Sequence, residues 1–69
     1  MSRFVDDIRR ARRESRLPER FCAKDIRRAC PGWADRTYTN FPPKHRRGNP
    51  GGYTAYFEQH PDGSYSLLG

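Results

Sequence analysis

The chain has 69 residues, 33% hydrophobic and 32% charged, so it forms one domain with a small core and has no room for a catalytic cleft between domains. Its formal charge of +6 is carried by twelve arginines and two lysines, and the planar guanidinium fork suits bidentate recognition of phosphates and guanine edges. No stretch approaches the roughly 20 apolar residues that span a membrane, and the start MSRFVDDIRR lacks the apolar core of a secretion leader, so a cytoplasmic, reducing compartment is expected.

Residues 2–16 read as a helix. Ser2 stands as its N-cap, Asp6 and Asp7 lie near the positive end of the helix dipole, and Arg9, Arg10, Arg12 and Arg13 follow toward the negative end. Phe4, Ile8 and Ala11 recur at i, i+4 and i+7 with Val5 on the edge, which makes a narrow apolar stripe. Pairing of Asp6 with Arg10, and of Arg10 with Glu14, accounts for much of the arginine density as a solvated face.

Pro18 breaks that pattern, and a second helix is expected from about Ala23 to Cys30, with Ile26, Ala29 and Cys30 inward and Phe21 packing from just outside. Cys22 takes the cap position and Asp25 stands three residues on, where the acid of a capping box belongs. Pro31 and Gly32 end the helix. Cys22 and Cys30, about 12 Å apart along one helix axis, are too distant for a disulfide and read as small buried hydrophobes. A zinc site drawn from Cys22, Cys30, His45 and His60 lacks the C-x-x-C or H-x-x-x-H pair that such sites use, so no metal or other cofactor is expected.

A third helical segment starts near Trp33, with Asp35 in its first turn and Tyr38 and Phe41 inward. Pro42 and Pro43 remove two backbone donors and disfavour helix at the residue before each. The expected result is a bent element: one turn from Trp33 to Tyr38, then a fresh turn capped by Thr39 or Asn40 and running to about Arg47, whose free N–H groups and dipole favour a phosphate. Trp33 reads as a core or lid residue, with base stacking as its alternative use.

From Tyr53 the period becomes two. YTAYFEQ at 53–59 and SYSLL at 64–68 flank HPDG, whose Pro, Asp and Gly suit a type I turn or a slightly longer hairpin loop. Tyr53, Ala55 and Phe57 are expected on one face with Tyr65 and Leu67; of Tyr53 and Tyr56, one faces the core and the other solvent.

Three short helices followed by a hairpin, with a basic third helix, is the order of a small α+β winged helix-turn-helix. The expected organisation is a single domain over residues 1–69, with an N-terminal helix in 1–17, a helix-turn-helix over 21–47 and a β-hairpin wing over 53–68. F-x-x-K-D-I-R at 21–27, R-T-Y at 36–38, K-H-R-x-G-N-P at 44–50, F-E at 57–58 and G-x-Y-x-L at 63–67 carry a further likeness. Together they resemble small winged-helix-like modules found at the ends of restriction endonucleases and related prokaryotic DNA-processing proteins. That resemblance implies DNA binding as an accessory module without catalysis, and admits a protein partner within such a system.

Residues 36–52 contain Arg36, Lys44, Arg46 and Arg47 and no acid, with Thr37, Thr39, Asn40, His45 and Asn49 interleaved. Uncompensated charge mixed with short hydrogen-bonding side chains is the pattern of a phosphate-binding face, so double-stranded DNA is the expected partner and these nine residues the expected contacts. Asparagine reads adenine bidentately, while capping is the competing use of Thr39 and Asn40. Asn49-Pro50-Gly51-Gly52 brings backbone N–H groups to a phosphate or serves as a plain turn.

Catalytic residues are not expected: His45 and His60 come without a carboxylate pair or a nucleophile at base spacing. KHRRGNPGG superficially resembles a histidine–asparagine nuclease motif but lacks its second histidine and acidic ligand. The competing readings are a module that docks on an acidic protein partner, and RNA binding, for which neither an aromatic sheet platform nor a G-x-x-G clamp speaks.

Overall fold

The computed structural model describes residues 3–68, so the expected Ser2 cap lies outside the described residues. Helices α1 (Arg3–Arg13), α2 (Ala23–Ala29) and α3 (Asp35–Lys44) precede strands β1 (Phe57–Gln59) and β2 (Tyr65–Leu67), which pair as an antiparallel hairpin. The fold is a small α+β arrangement of three helices and a two-stranded hairpin.

The stripe on α1 faces inward as its spacing predicts, with Phe4, Val5, Ile8 and Ala11 all buried. Leu17 and Phe21 from the connection, Ile26, Ala29 and Cys30 from α2 and its end, Tyr38 from α3, and Phe57 and Tyr65 from the hairpin complete the core. α1 closes at Arg13 because Ser15 takes a positive φ of 61° and the chain turns back. The Arg16 N–H reaches the Ala11 carbonyl at 2.8 Å and the Ser15 N–H reaches that of Arg12 at 3.1 Å, a Schellman closure with serine where glycine is usual. The Arg16 side chain then donates to the Ala29 carbonyl, tying the exit of α1 to the end of α2. The expected pairs along α1 do not form; Glu14 meets Arg16 at 2.8 Å instead of Arg10.

At α2 the expected capping box forms. The Asp25 carboxylate accepts the Cys22 backbone N–H at 3.0 Å and the Cys22 thiol at 3.2 Å, so the acid satisfies the helix start that a cysteine serves poorly. Both cysteines are free thiols, Cys22 half-buried and Cys30 buried. Tyr38 fixes the turn between α2 and α3: its hydroxyl donates to the Cys30 carbonyl at 2.6 Å and accepts the Trp33 N–H at 3.1 Å.

The double proline does not break α3. The helix runs from Asp35 to Lys44 with Pro42 and Pro43 in its last turn, and the ladder resumes at once, the His45 N–H donating to the Phe41 carbonyl at 3.0 Å. Thr39 and Asn40 are therefore interior positions rather than caps, and no second helix start exists there to receive a phosphate. Tertiary packing overrides the local rule: Tyr38 and Pro42, one turn apart, are both buried, and Phe41 packs edge-on against Phe4 at 5.1 Å and Phe57 at 6.1 Å.

The hairpin is shorter than period two implies. Residues 53–56 are not strand. The Tyr56 and Phe57 N–H groups both go to the His45 carbonyl, at 2.8 and 3.2 Å, while the Tyr56 carbonyl accepts the Leu68 N–H at 3.0 Å, so the chain there joins the end of α3 to the end of the hairpin. Tyr53 and Ala55 are consequently exposed instead of sharing the inward face of Phe57. The turn itself follows the sequence: the Gly63 N–H closes onto the His60 carbonyl at 2.9 Å, and Gly63 takes a φ of 90°. Two single-residue bridges widen the sheet, Phe21 antiparallel to Tyr65 and Arg46 parallel to Phe57.

Two predictions concern this framework. Cys30→Ser places a hydroxyl in a site 5% exposed and should cost about 1–3 kcal/mol in thermal or urea unfolding, whereas Cys22→Ser, which keeps a donor for Asp25, should be nearly neutral. The second is acid sensitivity. The backbone N–H and thiol of Cys22 hold the Asp25 carboxyl below its ordinary 3.8, and Ser64 does the same for Asp62. The folded state thus binds these protons less readily, so their contribution is complete above the ordinary value and is lost as pH falls through the depressed one. Stability measured between about pH 5 and pH 2 should fall less steeply in Asp25→Asn than in the parent.

Candidate nucleic-acid interface

A groove of about 360 Å³ runs along one side of α3, lined by Arg36, Thr37, Asn40, Phe41, Lys44 and His45. These positions fall at i, i+1, i+4, i+5, i+8 and i+9, which a helix brings onto one side, turned away from buried Tyr38 and Pro42. No carboxylate lines it. Asp35, the one acid of α3, is 89% exposed at its side chain and pairs with Arg27 of α2 at 3.3 Å.

The lower end of the groove is aromatic. The His45 ring stacks on Phe41 with centroids 4.2 Å apart and planes at 23°, and Tyr56 lies nearly parallel to Phe41 at 6.2 Å. His45 Nδ1 is 2.8 Å from the Thr54 carbonyl; a carbonyl only accepts, so Nδ1 carries the hydrogen and Nε2 is left to meet a ligand. The Lys44 ammonium sits 4.9 Å from the centre of the half-exposed Tyr53 ring, a cation–π contact that holds the charge at the rim.

Five of the nine expected contacts therefore share one surface: Arg36, Thr37, Asn40, Lys44 and His45. The other four lie elsewhere. Thr39 stands off the groove, and its hydroxyl bonds back to the Arg36 carbonyl at 3.3 Å. Arg46 bridges Phe57, and its charge opposes the burial that pushes the Tyr65 phenol up, so it serves the hairpin side. Arg47 pairs with Glu58 at 3.2 Å; both partners are solvated, and such a pair is worth about 0–1 kcal/mol and yields readily to a phosphate.

Asn49 is the clearest reassignment. Its amide nitrogen donates to the Pro43 and Lys44 carbonyls at 3.0 and 2.8 Å, and its oxygen accepts the Gly51 N–H at 2.8 Å. It is a C-terminal cap for α3, with both its N–H donors committed to the helix end.

Phe41, Tyr53 and Tyr56 belong to the site without having been singled out as contacts. Helical spacing from Asn40 and Lys44 marks Phe41, but nothing local marks Tyr53, whose place beside Lys44 is set by the glycine loop between them. A Cβ at Gly51 would stand 2.9 Å from the Tyr53 ring, so a side chain there would push the ring from its place beside Lys44.

The groups whose acidities are displaced all lie off the groove and have structural causes. Burial pushes the Cys30 thiol up, and Asp25 and Asp62 are lowered by their local donors. His60 and Ser66 face each other across the hairpin at 2.9 Å, likewise away from the groove. Among the described residues, no group of three or more His, Cys, Asp or Glu is placed to hold a metal ion, and no helix is long and apolar enough to cross a membrane. Neither protein-family models nor curated proteins nor solved structures yield a match to this chain.

The role of Asn49 is open to a direct check. Asn49→Ala removes two hydrogen bonds from the end of α3 and should cost about 1–2 kcal/mol, lowering Tm by roughly 5–10 °C. Amide hydrogen exchange should quicken most at His45, whose N–H closes the last turn.

Proposed function

We propose that this protein is a small winged helix-turn-helix module that binds double-stranded DNA without acting on it chemically. The observation that carries this reading is the acid-free face of α3, where Arg36, Lys44 and His45 alternate with Thr37 and Asn40. Cations that neutralise phosphates release condensed counterions, and short polar side chains set between them fix the register on the backbone. The hairpin would be the wing. Its second strand is tied to the entry of α2 through Phe21, whose N–H and carbonyl exchange bonds with Tyr65 at 2.9 and 2.7 Å, so it is braced against the helix pair. A place among the modules of prokaryotic restriction and DNA-processing systems, as the sequence motifs suggest, belongs to the same proposal.

The acidic groups support the assignment by their positions. Asp7 holds the Trp33 ring nitrogen at 3.0 Å, Asp25 caps α2, Asp35 meets Arg27, and Asp62 closes the hairpin turn. Each is occupied away from the groove. Docking on an acidic protein and RNA binding remain the rival outcomes.

A mobility-shift series on random duplex DNA, single-stranded DNA and structured RNA at several salt concentrations tests the proposal. The log–log salt slope for duplex should be about −1.8 if Arg36 and Lys44 alone neutralise phosphates, and about −3.6 if Arg46 and Arg47 join them. Arg36→Ala and Lys44→Ala should each flatten it by about one unit. Replacing Arg9 and Arg13 on α1 should weaken binding less than replacing Arg36 and Lys44. Salt-indifferent binding, or a larger effect from the α1 pair, would move the contact surface off α3 and favour the protein-docking reading.

A further inference from the structure

The α3 groove contains more than a phosphate needs. Phosphate oxygens are satisfied by cations and N–H donors, yet two of the six residues lining this groove, Phe41 and His45, form an aromatic wall, with Tyr56 behind it. A fully paired duplex presents no ring faces to such a wall, because its bases are stacked on one another. An unpaired base does, and stacking on a protein aromatic is the usual way to hold one.

The polar groups beside the wall are unspent. The side chains of Arg36, Thr37 and Asn40 make no hydrogen bond or ion pair among the described residues. Their neighbours differ: the Thr39 hydroxyl is turned back on the Arg36 carbonyl, and the Asn49 amide gives both its N–H donors to the end of α3. Asn40 thus offers both faces of its amide at the edge of the wall, and His45 offers Nε2. Lys44, one turn on from Asn40, is held over the Tyr53 ring. The volume of about 360 Å³ lies within the range of small-ligand sites.

We infer that the groove is a nucleotide site for an unpaired base flanked by duplex, with the base against Phe41 and His45, its edge on the Asn40 amide and its phosphate between Arg36 and Lys44. This inference rests on the DNA-binding proposal above and adds a preference for interrupted over continuous duplex. Asparagine donates and accepts side by side, which matches the N6 and N7 pair of adenine, so a bulged adenine is the best occupant.

Fluorescence anisotropy with the full chain tests this, using one labelled duplex made blunt and uninterrupted, and the same duplex carrying a single bulged adenine or a single bulged cytosine. The adenine-bulged duplex should bind about tenfold more tightly than the uninterrupted one, with cytosine between them. Asn40→Ala alters an exposed side chain with no partner among the described residues, so the fold is retained; it should bring the adenine-bulged duplex down to the affinity of the cytosine-bulged one, a larger loss than the uninterrupted duplex shows. Equal binding of bulged and uninterrupted duplexes, or an equal loss for both in Asn40→Ala, overturns the inference while the duplex-binding proposal stands. Binding to neither duplex overturns both.

Discussion

The end of α3 depends on the side chain of Asn49. Two consecutive prolines in a helix remove two donors from its ladder, and a helix end already leaves its last carbonyls without partners. Here the Asn49 amide supplies donors to the Pro43 and Lys44 carbonyls, and its oxygen in turn fastens the Gly51 N–H. One side chain therefore closes the helix and folds the glycine loop back against it. That closure delivers Tyr53 to Lys44 and lets the His45 ring reach the Thr54 carbonyl. Without a last turn in helical register, Lys44 and His45 would leave the face that Arg36, Thr37 and Asn40 occupy.

The arginines divide by what they touch. Arg12 donates to the Leu17 carbonyl, Arg16 to Glu14 and the Ala29 carbonyl, Arg28 to Asp25, and Arg27 to Asp35 while lying over the Tyr38 ring. These guanidiniums satisfy carbonyls and acids at helix ends, a structural use of their fork geometry. The net charge of the chain thus overstates the surface available to a polyanion. Of the remaining cations, Arg36 and Lys44 lie along the groove of α3, Arg3, Arg9, Arg10 and Arg13 on the exposed side of α1, Arg20 and Lys24 at the entry of α2, and Arg46 and Arg47 beside the hairpin; only the groove pair is interleaved with uncommitted hydrogen-bonding side chains.

Features set by local chemistry were legible in the sequence. The Phe4, Val5, Ile8 and Ala11 stripe, the Cys22 and Asp25 box, and the His60 to Gly63 turn each depend on residues within a few positions of one another. The helix through Pro42 and Pro43 was not legible, because a sound local rule is overridden by contacts of Phe41 with Phe4 and Phe57, far away in the chain. Residues 53–56 misled for the same reason: alternation resembles a strand, but the Tyr56 amide is claimed by the His45 carbonyl and the Thr54 carbonyl by the His45 ring. Composition and helical spacing were enough to place Arg36, Thr37, Asn40, Lys44 and His45 on one side of α3. They could not show that Thr39, Arg46, Arg47 and Asn49 meet backbone or hairpin groups, because composition does not register such partners.

The central claim is that the surface meeting nucleic acid is the groove side of α3 and the loop that closes it. Titration of the uniformly ¹⁵N-labelled chain with a short duplex, followed by amide chemical-shift mapping, tests it most directly. The account predicts that the largest shifts fall within residues 36–45 and 51–54, together with the Asn40 side-chain amide, while the Asn49 side-chain amide stays near its free position. Largest shifts along α1, or across the hairpin with α3 unmoved, would contradict it.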